Sequence, residues 1–115
     1  MLTGKKVVLG VSGSIAAYKM ANVASMLIKL HCDVHVILTE AGAKFITPDT
    51  FEALTKHPCL TDSFERSNPP EIHHITLGQT SDLILVAPAS ADILGKMAHG
   101  IADDLLTSTI VAATC

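Results

Sequence analysis

The feature that most constrains this chain lies at its start. Lys5-Lys6-Val7-Val8-Leu9-Gly10-Val11 is an apolar, β-branched run that passes through Ser12-Gly13-Ser14 straight into the helix-like Ile15-Ala16-Ala17-Tyr18-Lys19. An apolar run without alternation marks a strand buried on both faces. A turn of small residues that opens into a helix leaves backbone N–H groups unpaired at the helix N-terminus, a ready site for phosphate. The opening therefore predicts an α/β fold with a phosphorylated ligand at the first strand end.

The rest of the chain continues the alternation. Ser14 to about His31 reads as a helix, with Ala17, Met20, Ala24, Leu27 and Leu30 at three- and four-residue spacing. Asp33–Leu38 reads as a second strand and Ala41–Ile46 as a short helical turn. Pro48 suits a first helical position, which predicts a helix over Pro48–Thr55. Lys56–Glu71, with Pro58, Pro69 and Pro70, reads as an irregular loop, and His74–Gln79 as a short helix or turn. Leu83–Ala87 is expected to be a third buried strand, ended by Pro88. Ser90 can cap a helix to Ala98 with Asp92 in its first turn, and Asp103 or Asp104 can cap a last one to about Ala113.

The order β-α-β-α-loop-β-α-α implies a parallel sheet with right-handed crossovers. Ligands of such sheets bind beyond the carboxyl ends of the strands. Here those ends are Ser12-Gly13-Ser14, Thr39-Glu40-Ala41 and Pro88-Ala89-Ser90-Ala91-Asp92, built largely from small and hydroxyl-bearing residues.

Gly10-Val11-Ser12-Gly13-Ser14-Ile15-Ala16 approaches the dinucleotide fingerprint G-x-G-x-x-G/A, but Ser12 stands where the second glycine should be. That glycine admits a pyrophosphate. A serine there offers a hydroxyl and suits one terminal phosphate, and a tight turn with no ligand is the plainer reading. Glu40 can mimic a ribose-binding acid. His73 and His74 suit a general acid or base, or equally a surface helix start. The six histidines form no HExxH pair and no Cys/His ligand spacing, so no metal site is expected. Asp103 and Asp104 are adjacent and diverge on a helix, which favours capping over paired-acid chemistry.

Composition removes other classes. The net charge is −3, with no Lys/Arg cluster and only one Tyr and three Phe, which argues against nucleic acid as the main partner. No apolar run approaches the ~20 residues of a membrane span, and Leu2–Val11 lacks the form of a signal peptide. Cys32, Cys59 and Cys115 are odd in number without CxxC spacing, as expected of a reduced cytoplasmic protein. At 115 residues the chain is one domain; its charged fraction of 17% is low against a usual ~25%, so part of its exterior is expected to be buried by other subunits or further chain.

Five blocks in order carry a family resemblance: Gly13–Lys19, Thr39–Ile46, His74–Leu77, Ala87–Asp92 and Gly100–Thr107. With them the chain, from Lys5 to Thr114, resembles the homo-oligomeric flavin-containing cysteine decarboxylases. The resemblance implies a Rossmann-like (flavodoxin-like) parallel sheet with helices on both faces, three layers α/β/α, over residues 1–115. It implies FMN rather than a dinucleotide. Ser12, Gly13, Ser14 and Ile15 would line the first turn of the site, Thr39, Glu40 and Ala41 the second strand end, and Ser90, Ala91, Asp92 and Ile93 the third. His74 matches the family's catalytic histidine and His73 matches nothing.

The implied chemistry is decarboxylation assisted by oxidation of a cysteinyl moiety. The substrate would be phosphopantothenoylcysteine, within coenzyme A biosynthesis. A peptidyl cysteine, as in peptide-antibiotic maturation, is the alternative, and a non-catalytic FMN-binding regulatory subunit belongs to another class. A flavin prenyltransferase and a nicotinamide-binding domain match fewer of the residues. The family assembles as trimers, sometimes further, with the site at a subunit interface. It also continues with another strand, a Pro-x-Met-Asn motif and a cysteine-bearing segment that this sequence does not contain. The chain is therefore expected to be an amino-terminal part that keeps much of the FMN crevice and lacks parts needed for turnover.

Overall fold

Residues 2–61 and 76–115 are described by the structure, a computed structural model. Strand β1 (Lys6–Val11) leads through a 3-10 turn (Ile15–Lys19) to helix α1 (Met20–Lys29). Strand β2 (Asp33–Leu38), a second 3-10 turn (Gly42–Lys44) and helix α2 (Pro48–Thr55) follow. Strand β3 (Leu83–Val86) and helices α3 (Ala91–His99) and α4 (Leu105–Ala112) complete the elements. Residues 76–80 are also helical.

The three strands form one parallel sheet in the order β2-β1-β3. β1 pairs with β2 from Lys6↔Asp33 to Val11↔Leu38, and with β3 from Val7↔Leu83 to Gly10↔Val86. Strand alternation gives β1 two apolar faces. Val7, Leu9 and Val11 pack with Val34, Val36, Leu38, Ala24 and Phe51 under α1 and α2. Val8 and Ile37 pack on the other face with Leu77, Ile93, Leu105 and Leu106. The result is three layers, α/β/α, a Rossmann-like, flavodoxin-like sheet with helices on both faces. Burying a side chain the size of Phe51, which is fully enclosed, contributes about 1.5–3 kcal/mol.

Local chemistry explains most element ends. α2 starts on Pro48 with Asp49 in its first turn, and it stops where Lys56 turns left-handed at φ 63°. The Ser90 hydroxyl accepts from the Ile93 N–H at 3.2 Å to cap α3. Asp104 opens α4 with a capping box: its carboxylate accepts from the Thr107 N–H at 2.7 Å, and its own N–H donates to the Thr107 hydroxyl at 3.1 Å. Gly10 makes room for a residue of α4. A Cβ there would lie 2.5 Å from Leu106 Cδ1, so the end of the Leu106 side chain occupies the space that glycine leaves over the strand.

Three expectations are corrected. The first helix is not continuous from Ser14: its opening turn is 3-10, closed by Ala17 N–H on the Ser14 carbonyl at 2.9 Å with the Ser14 hydroxyl capping Ala16. The third strand is not fully buried. β3 lies at the sheet edge, Leu83 is 51% exposed and its next three residues are half-buried. The loop after α2 is not wholly irregular: Leu60 forms a parallel bridge with Ile37, its N–H donating to Val36 O at 2.9 Å while its carbonyl accepts from Leu38 N–H at 2.8 Å. Among the described residues no helix is long and apolar enough to cross a membrane.

Candidate functional site

The carboxyl ends of all three strands open into one cleft of about 430 Å³, within the ~300–1,000 Å³ usual for small-molecule sites. Ser12 and Gly13 come from the end of β1, and Thr39, Glu40 and Ala41 from the end of β2. Ser90, Asp92 and Ile93 come from the entry to α3. Eight of the residues expected from sequence therefore meet in one place. Ser14, Ile15 and Ala91 adjoin the cleft in sequence without lining it: Ser14 caps the first turn, Ile15 is 74% exposed, and Ala91 is an exposed first residue of α3. His74 lies outside the described residues.

Ser12 departs from its expected role. Its side chain is buried, its hydroxyl donates to the Pro88 carbonyl, and it accepts from the Ser90 N–H at 3.0 Å. Both capacities of that hydroxyl are therefore used within the protein, where they lash the β1 turn to the segment that starts α3. The Ala87–Pro88 peptide bond in that segment is cis. Thr39, Ser90 and Ser14 behave differently. Each hydroxyl accepts one backbone N–H, from Gly42 at 3.0 Å, Ile93 at 3.2 Å and Ala16 at 3.3 Å. Each keeps its hydrogen to donate.

Gly13 brings the first two strand ends together. A Cβ on it would sit 2.5 Å from Ala41 Cβ, so the turn and the end of β2 touch backbone to side chain with no room between. That contact leaves Gly13 and Thr39 together in the wall of the cleft. The N-terminus of α3 faces the same cleft through Ser90, Asp92 and Ile93. A helix start and donor hydroxyls around a water-accessible hollow fit a phosphate ester bearing a larger group.

Four lining residues went unpredicted as cleft residues: Lys44, Lys96, Asp103 and Asp104. Lys96 reaches Asp103 at 3.1 Å, Asp92 at 3.3 Å and Asp104 at 4.0 Å. The Asp103 hydrogen bond, opposed by desolvation and joined by Asp92, lifts the Lys96 ammonium above its ordinary pKa. One cation thereby offsets part of the charge of three carboxylates, which remain net negative at that side of the cleft. The Lys96–Asp92 pair is an i,i+4 spacing readable on α3; the approach of Asp103 and Asp104 depends on how α4 docks, which no local pattern encodes.

The sequence matches the Flavoprotein family across residues 1–115, and the chain belongs to that family. It is 48% identical over 114 residues to the coenzyme A biosynthesis bifunctional protein CoaBC of Bacillus subtilis, covering 99% of this chain and 28% of that protein. It is 45% identical over 108 residues to a probable phosphopantothenoylcysteine decarboxylase of Streptococcus mutans, covering 94% and 60%. Its fold matches the FMN-dependent cysteine decarboxylase SpaF with a TM-score of 0.88 and 32% identity, over 100% of this chain and 66% of that one. A PPC decarboxylase complexed with pantothenoylaminoethenethiol matches with a TM-score of 0.75 and 27% identity, over 96% and 62%. The chain thus spans 28% of the bifunctional relative and 60% of the single-function one.

Proposed function

We propose that this chain supplies the FMN-binding part of a carboxy-lyase that decarboxylates the cysteinyl moiety of 4'-phospho-N-pantothenoylcysteine to give 4'-phosphopantetheine in coenzyme A biosynthesis. The observation that carries the reading is the cleft itself. Two strand ends pressed together at Gly13 and Ala41, and the Ser90-capped start of α3, surround one hollow with donor groups. The relatives named above supply the reaction class.

FMN, when bound, supplies a two-electron acceptor that makes loss of CO₂ from a cysteinyl group accessible. The chain's own residues do the holding. Gly13, in the turn after β1, and the Thr39 hydroxyl, both lining the cleft, receive the phosphate, and the start of α3 faces the rest of the cofactor. Ser12 keeps the first and third strand ends in register with each other. Lys96 lessens the repulsion of Asp92 and Asp103 toward the cofactor's negative charge. His74, by its match to the family motif, meets the substrate carboxylate and handles a proton there.

The visible spectrum of the purified chain is the first test. A yellow protein that releases FMN on denaturation is expected; a colourless chain without affinity for FMN overturns the reading. In the whole protein, His74→Asn is expected to abolish CO₂ release while the flavin stays bound. Turnover by that variant removes His74 from the mechanism. A peptidyl-cysteine substrate is favoured by the likeness to the peptidyl-cysteine decarboxylase EpiD, with a TM-score of 0.81 and 25% identity; offering peptides that end in cysteine beside phosphopantothenoylcysteine separates the two.

The same reading makes the protein a cytoplasmic homo-oligomer, a trimer with the site at a subunit interface. Its support is the exposed apolar surface at Ile15, Tyr18, Leu94 and Met97. Sedimentation of the whole protein at a trimer mass is the expected outcome, and a monomer refutes it.

A further inference from the structure

The opposite end of the sheet carries a second cluster of chemistry-bearing side chains. Asp33 begins β2 and His35 follows two residues later, on the same face of the strand. The chain returns to them after α2, where the left-handed Lys56 turns it back and His57 follows. The His57 N–H donates to the Thr55 hydroxyl at 3.2 Å, which fixes the arriving segment on the end of α2. His57 Nε2 lies 2.7 Å from Asp33 Oδ1, and His35 Nε2 lies 3.2 Å from Asp33 Oδ2. The two imidazole rings stack, with centroids 4.1 Å apart and planes 14° from parallel.

Three features make this more than a hydrogen-bonded fastening. One ligand atom from each of the three side chains lies within 4.8 Å of the other two, and among the described residues no other group of His, Cys, Asp and Glu meets that condition. Both histidines present the same ring nitrogen, Nε2, to one carboxylate. The side chains are 45%, 37% and 19% exposed for Asp33, His57 and His35, so a hydrated ion can reach them. Lys6, the register partner of Asp33, directs its ammonium to the Thr80 hydroxyl at 2.8 Å.

We propose that Asp33, His35 and His57 form a binding site for a divalent transition-metal ion of the zinc class. The ion is held by Nε2 of both histidines and a carboxylate oxygen of Asp33, with water in the remaining position. Two imidazoles and one carboxylate make a donor set that selects zinc, copper or nickel over magnesium or calcium. Ligand atoms held tetrahedrally at about 2.0–2.1 Å from zinc lie about 3.3–3.4 Å apart. The N···O separations already present are 2.7 and 3.2 Å, and the ion enters when the two imidazoles swing out of their stack, so that both Nε2 lone pairs, each in its own ring plane, converge on one point. Binding would clasp the segment after α2 to the start of β2, at the end of the sheet away from the cleft.

The test uses the full chain without a histidine tag, stripped of metal and titrated with Zn²⁺ by calorimetry and with Co²⁺ by visible absorption. One equivalent is expected to bind, with the strong absorption of four-coordinate cobalt and with no displacement by Mg²⁺. His35→Ala and His57→Gln are each expected to weaken binding at least about ten-fold. The glutamine retains a hydrogen-bond donor for Asp33, so circular dichroism and thermal midpoint without metal show that its fold is kept. His99→Ala and Cys115→Ser are expected to bind as the parent does. Absence of saturable binding overturns the proposal. So does unchanged affinity in His57→Gln, or an equal loss in His99→Ala or Cys115→Ser, which would mark adventitious chelation elsewhere.

Discussion

β2 joins two unlike polar regions. At its carboxyl end the groups that matter belong mainly to the backbone: the turn after β1, the start of α3, and hydroxyls that cap them. At its amino end they belong to side chains, Asp33, His35 and His57, drawn together by direct contacts. Backbone donors gathered at helix starts favour anions, whereas imidazoles around a carboxylate favour cations. The difference teaches that one parallel sheet can carry opposite ligand preferences at its two ends without either field being large, because each is set within the last turn or the last pair of residues.

The largest expected effect tests whether the ends are independent. Gly13→Val puts a branched side chain where even a Cβ meets Ala41 at 2.5 Å. It is expected to abolish FMN binding, measured by flavin fluorescence titration, and to cost about 1–3 kcal/mol of stability by overpacking. Zinc titration of the same variant should match the parent; loss of both activities would break the separation of the two ends.

Ser12→Ala comes next. It strips the Ser90 N–H of its acceptor, which costs about 1–3 kcal/mol when the donor stays buried and loosens the join between β1 and α3. A urea midpoint unchanged from the parent would show that the join is not needed. Asp104→Ala removes the α4 capping box, with an expected loss of about 1 kcal/mol in thermal or denaturant unfolding.

Lys96→Gln should change folding little and weaken FMN binding a few-fold, more at low ionic strength than at high. Because the folded pKa of Lys96 is raised, its ties are complete below the ordinary lysine pKa and are lost as pH rises through the higher folded value. The FMN affinity gap between parent and variant should therefore close only in strong alkali. The smallest effect on the cleft belongs to His57→Ala at the other end: no change in FMN affinity, measured by the same titration, sharpens the comparison, and a loss there would contradict it.

How much of this was legible follows the same division. The three cleft walls could be read because each is a short run of small and hydroxyl residues directly after an apolar strand, and a turn is written in its own residues. The caps at Ser90 and Asp104 were legible for the same reason. The direction of the Ser12 hydroxyl was not, since it depends on Pro88 and Ser90 arriving from the far side of the sheet. The approach of Asp103 and Asp104 to Lys96 needed the docking of α4 on α3, and Asp33, His35 and His57 needed the chain to return after α2. β3 was misread as buried because an apolar run shows what a strand prefers to touch, not how many neighbours it has. His74 rests on its motif, outside the described residues.

The contact between Gly10 and Leu106 bears on how such a sequence can change over generations. The two positions come from opposite ends of the chain, yet they share one parcel of space, and a Cβ at 10 is admitted only as a branch at 106 withdraws. Adding the methyl first strains a filled core by about 1–3 kcal/mol; shortening the leucine to alanine first opens a cavity worth about 2–5 kcal/mol. In a double-mutant cycle of Gly10→Ala and Leu106→Ala, the paired change is therefore expected to cost less than the sum of the two single changes.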